Sequence, residues 1–157
     1  MKSTLCGIAV GLWIVTIGVA GWFFVQGVTT QGTDGRTQIV LAPAERDLIL
    51  GEMRLLLKAV HGVVTGLAGQ DQAADRAQME QAARSAGMHM AEDVNPALMA
   101  KLPLPFKQMG MSIHHDMDAL ADAIASKETS QQILQRLSNL TARCTTCHDM
   151  YRFGVDQ

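Results

Sequence analysis

The first hydrophobic feature of the chain is an unbroken run. From Thr4 to Gly27 it reads TLCGIAVGLWIVTIGVAGWFFVQG, with no charged residue. More than twenty such residues coil into a helix long enough to cross a hydrocarbon core of about 30 Å. Lys2 is the one cation ahead of the run, which favours a cytoplasmic N-terminus and an exported remainder. Trp22, Phe23 and Phe24 fall at the outer interface, where aromatic rings collect. A cleaved signal peptide is the rival reading. Its apolar core is normally shorter and ends in a small-x-small site, whereas the sequence continues Val28-Thr29-Thr30-Gln31-Gly32. Residues 4–27 therefore read as an uncleaved single-pass anchor. Residues 28–41 read as a linker, with the Thr-, Gly- and Gln-rich stretch Thr29 to Thr37 as a flexible tether.

Beyond the linker the pattern changes to a helical rhythm. Pro43 suits a first helical position, and Glu45 and Asp47 complement the positive end of a helix dipole. Ile49, Met53, Leu56, Val60, Val63 and Leu67 then recur at alternating spacings of four and three, the period of a helix packed on one face. Gly69 follows as a cap. A second helix with a thin stripe of Met79, Ala83, Ala86 and Met90 is expected from near Asp71 to about Ala91. Asn95-Pro96 and Pro103-Leu104-Pro105 predict an irregular connection. Phe106, Gly110, Ile113, Met117, Leu120 and Ile124 mark a third helix from about Pro105. Thr129 with Gln132 forms a capping box for a fourth, whose stripe is Ile133, Leu137, Leu140, Cys144, Cys147 and Tyr151. No segment alternates as a strand. The fold expected is all-α: an antiparallel four-helix bundle over residues 42–153 behind one transmembrane helix.

Composition narrows the partners. The formal net charge is -2 and no basic run occurs, so nothing offers a nucleic-acid footprint. Of three cysteines, Cys6 lies near the start of the apolar run rather than after it, which argues against a lipoprotein. No disulfide framework can be built from the set.

The chemistry sits in the fourth helix, at Cys144-Thr145-Thr146-Cys147-His148. C-x-x-C-H is the attachment signature of haem c. Positions i, i+3 and i+4 share a helical face, so two thiols can add to two vinyl groups of one porphyrin while the imidazole reaches the iron. A zinc site would need four ligands, and there is no second cysteine pair. A thioredoxin-like redox pair belongs in a βαβ setting. A structural pair in an exported chain would tend to oxidise to a strained disulfide within one helix. One covalent haem c, with Cys144 and Cys147 as thioether donors and His148 as proximal iron ligand, is the reading these residues favour.

A helical bundle whose last helix ends in this motif resembles the cytochrome c′ family. The likeness covers roughly residues 40 to 153. It rests most on CTTCHDMYR from Cys144 to Arg152 and on Phe106-Lys107-Gln108 at the start of the third helix. It implies an exported haem protein with haem c near one end of the bundle, often a homodimer. An aromatic and a basic residue follow the haem histidine in that family, as Tyr151 and Arg152 do here, which puts Arg152 in the haem environment. Most members leave one iron face open, and low-spin relatives place a methionine from the first helix there. Two departures stand out: Ile49 occupies a helix-one position that usually carries a basic residue, and most relatives are soluble.

The distal iron face decides the function. In an up-down-up-down bundle the start of helix one and the end of helix four share an end. Met53 lies ten residues past Pro43, roughly 15 Å along the axis at about 1.5 Å per residue. That level, and the resemblance, make it the leading distal candidate, against the base rate that methionine in an apolar stripe is filler. Met90 is next. His114 and His115 fall beside the core stripe, His61 too far along helix one, and His89 in a Met-His-Met stretch. Met88, Met99, Met109, Met111 and Met150 lack the repeat of a copper site and read as packing. The function expected is one-electron transfer with redox proteins in or at a bacterial inner membrane, the domain lying in the periplasm. The alternative is a five-coordinate binding protein for nitric oxide or carbon monoxide. Peroxidase chemistry would want a distal acid-base residue, and the inward stripe of helix one offers neither histidine nor carboxylate.

Overall fold

The computed structural model describes residues 2–69, 72–92 and 95–155. They are mostly helical. Helix α1 (Lys2–Gln26) is followed by strands β1 (Thr29–Gln31) and β2 (Thr37–Leu41). Then come α2 (Pro43–Ala68), α3 (Gln72–Arg84), a 3-10 turn at Met88–Ala91, α4 (Pro96–Lys101), α5 (Leu104–Ala125), α6 (Ser130–Met150) and β3 (Tyr151–Val155).

Helix α1 contains one stretch, Cys6–Gln26, long and apolar enough to cross a membrane, with mean hydropathy 2.2 and nothing in its window buried. Its described large apolar side chains, Trp13, Trp22 and Phe23 among them, are exposed. That is the surface a lipid-facing helix needs and a soluble one avoids.

The long helices pack side by side in chain order: α2 on α3, α3 on α5, α5 on α6. Small residues set the first seam. A Cβ at Gly62 would meet Ala82, and one at Gly66 would run into Met79, so the two backbones approach closely. The stripes read from the sequence turn inward: Val63, Met79, Ala83, Ala86, Ile113, Met117, Leu120, Ile124, Ile133, Leu137 and Leu140 form one buried cluster. Pro43 opens α2, with Glu45 accepting from the Ala42 N–H, and Thr129 and Gln132 form the capping box of α6. Helix α6 packs chiefly on α5, and its stripe joins that of α2 in the same buried cluster.

Four expectations need correcting. The second helix stops at Arg84, not near Ala91; the Ser85 hydroxyl bonds back to the Ala82 carbonyl, and the Asp118 carboxylate takes the Met88 N–H and starts the 3-10 turn. The predicted start at Asp71 lies outside the described residues. The connection through Asn95-Pro96 is a short helix, α4, capped by the Asn95 side chain. The stretch read as a flexible tether is a hairpin: β1 and β2 pair antiparallel, and β2 pairs parallel with β3. Finally, Tyr151 is not the last turn of the fourth helix. It opens β3, so the part beyond α1 is not wholly helical.

The sheet builds a second small core. Ile39 and Leu41 of β2, both 0% exposed, join Ile49 of α2, Leu98 of α4, Leu102 and Phe106. Met53, Cys147, Tyr151 and Phe153 lie on its edge.

Candidate functional site

Cys144 and Cys147 stand one turn apart on α6 and both are half-buried. They divide between the two cores: Cys144 touches the main cluster, and Cys147 the cluster formed by the sheet and α4. Burial pushes both thiols above their ordinary value, and for Cys147 the Cys144 charge adds to the rise. Such thiols stay protonated at neutral pH. A redox-exchange pair instead relies on a thiol whose pKa is lowered.

A cleft of about 190 Å³, open on one side, lies beside them. Arg36, Leu50, Met53, Phe106, Cys147, His148, Tyr151, Arg152 and Phe153 line it. Four of the five residues singled out from the sequence therefore share one cavity. Cys144, the fifth, sits one turn earlier on the same helix. Phe106 from α5 meets Tyr151 and Phe153 edge to face, at 5.4 and 5.8 Å between ring centroids. These contacts make an apolar wall.

The other candidates lie elsewhere. His114 is buried, but its Nδ1 lies 2.9 Å from the Ala86 carbonyl between α5 and the end of α3. His61, His89 and His115 are exposed. Met90 sits on the 3-10 turn and does not line the cleft. Glu52, next to Met53 on α2, is half-buried, and burial raises its carboxyl while His114 opposes the rise. It is absent from the cleft lining, so no carboxylate projects there from α2.

Arg36 is the residue that sequence reading missed. It follows the hairpin turn at Gly35, where φ is +85°, a conformation glycine adopts freely. Its Nε and one terminal nitrogen donate to Asp34 at 2.9 and 2.6 Å, and the other donates to the His148 carbonyl at 3.1 Å. That carbonyl is one of the four left without an intrahelical partner at a helix end. Arg152 reaches Asp34 from the other side at 3.4 Å. Two guanidiniums thus flank one carboxylate at the cleft mouth, and the side-chain hydrogen bond from Arg36 holds Asp34 down at about 2. An ordinary-looking Gly-Thr-Asp-Gly-Arg loop gave no hint of this. The contact spans the whole domain and depends on β2 pairing with β3.

Comparison with models of known families, with curated proteins and with solved structures finds no match.

Among the described residues no cluster of three or more His, Cys, Asp or Glu side chains could hold a bare metal ion. A haem asks less of the protein: two thiols and one or two axial ligands, the porphyrin supplying the other four. The donor set here fits that need. The enclosed volume is below the roughly 300–1,000 Å³ of typical cofactor pockets. The fit therefore rests on the donor set and not on the size of the cleft.

Proposed function

We propose that this chain is a membrane-anchored monohaem c-type cytochrome that passes single electrons, built on a four-helix bundle of the cytochrome c′ kind. The observation that carries the reading is the arrangement on α6. Cys144 and Cys147 lie on one face with His148 beside them, and the cleft that Cys147 and His148 line also contains Met53 from α2. A bound haem would supply a reversible one-electron couple between ferric and ferrous iron.

The residues then divide the work. The Cys144 and Cys147 sulfurs hold the group by thioether bonds, so its retention does not depend on a large core. The His148 imidazole would be an iron ligand. Met53 is the candidate for a second; a thioether there would favour the ferrous state and raise the potential. Phe106, Tyr151 and Phe153 keep water from that region. Arg36 and Arg152 place positive charge at the mouth, where carboxylate substituents of the group would be neutralised. The apolar α1 fixes the domain at a bilayer, and Lys2 is the one cation ahead of its apolar run. Its partners would be redox proteins in or at that membrane.

A second reading follows from the cleft's small, apolar character. If Met53 only packs there, a diatomic gas such as nitric oxide or carbon monoxide could take the distal face. Optical spectra of the purified full-length protein, ferric and ferrous, separate the two. Electron transfer predicts a low-spin wild type that ignores carbon monoxide, and a Met53→Ala variant that turns high-spin, falls in potential and binds it. A wild type already high-spin and carbon monoxide-reactive would move the assignment to gas binding.

A further inference from the structure

The exit turn of α1 is held by the domain at three interlocking points. Lys107, in the first turn of α5, is 7% exposed. Its Nζ donates to the Phe24 carbonyl at 2.9 Å and the Met99 carbonyl at 3.3 Å, and sits 3.7 Å over the Phe24 ring. Phe24 is in the last turn of α1, where carbonyls lack intrahelical partners and the dipole is negative. One ammonium therefore caps the anchor and stacks on its aromatic side chain.

The second point is Gly27. It ends α1 with φ +65° and its N–H bonded to the Phe23 carbonyl. It lies so close to the Lys101–Pro103 backbone that a Cβ would have no room. The third is Val28, whose N–H donates to the Lys101 carbonyl at 2.7 Å and whose own carbonyl takes the Val40 N–H at 2.9 Å. Lys101 in turn is ion-paired with Glu45 at the start of α2.

We propose that α1 is docked into the domain with Lys107 as the clamp, so that the cleft is carried above the membrane at a fixed height and orientation. The cleft lies close by. Phe106, adjacent to the clamp, is one of its walls, and β1 is three residues long, about 10 Å at about 3.3 Å per residue. A chain cut after Gly27 would strip Lys107 of the Phe24 carbonyl and ring and leave Met99 as its remaining partner. The proposal rests on α1 being a membrane anchor and is independent of haem.

Amide hydrogen exchange on the full chain in lipid nanodiscs tests it. A dock predicts slow exchange over the peptide containing Gly27 and Val28. Lys107→Met keeps the bulk and removes the charge. It should speed that peptide's exchange roughly tenfold, the effect of losing a charge-assisted hydrogen bond, while α6 peptides stay protected. If that variant also deprotects α6, Gly27→Ala provides the second break and must deprotect the exit turn alone. Random-coil exchange of residues 27 and 28 in the wild type, or no change in either variant, overturns the proposal. Neither result depends on haem staining, so this reading and the cytochrome reading fail separately.

Discussion

The two cysteines show how far a residue's surroundings can discriminate between chemistries sharing one motif. A redox dithiol is poised by a lowered pKa, yet burial raises both thiols here. Both are half-buried, Cys144 against the helical cluster and Cys147 against the sheet cluster. Asp34 is the opposite case, an exposed carboxylate held at about 2, first by the Arg36 side-chain hydrogen bond. Because its folded value lies below the ordinary 3.8, its contribution is complete above that pH and is lost as pH falls through about 2. Melting curves of wild type and Asp34→Asn should therefore differ by a constant amount above pH 3.8 and converge near pH 2. Convergence already at pH 3.8 would mean that Arg36 does not hold this carboxylate.

At the scale of elements, the helices announced themselves and the strands did not. Four-three spacing locates the core faces of α2, α5 and α6 closely, because one buried stripe per helix is all their packing requires. The sheet was harder to read. Thr37–Leu41 and Tyr151–Val155 are five residues each, too short for a decisive alternation, and they pair only because the chain folds between them. The available hints were Ile39 with Leu41 and Tyr151 with Phe153, each two apart in β-forming company. The motif residues were legible because helix geometry places them on one face, and Met53 because its level and the family resemblance pointed to the same end of the bundle. Arg36 was not, since its position depends on strand pairing. The sheet's role predicts that Ile39→Ala, at a site with no exposure, costs about 2–5 kcal/mol. Chemical denaturation should show this, with a markedly larger loss than at half-exposed Leu55 on the outer face of α2.

For the whole molecule, the cleft belongs to the smaller core formed by the sheet, α4 and the ends of α2, α5 and α6. The helical cluster gives α6 its position, and the sheet with α4 closes the end at which α1 enters. That arrangement makes the motif, the cleft and the membrane neighbours. Under the proposed function, such a placement would raise the local concentration of a membrane-bound redox partner. The cytochrome reading depends on covalent attachment at Cys144 and Cys147. The direct measurement is haem staining of full-length protein on a denaturing gel, after expression in a host able to mature c-type cytochromes. The wild type should keep its stain after denaturation, and the Cys144→Ser, Cys147→Ser double variant should lose it. An unstained wild type, or stain that survives in the double variant, would contradict the account.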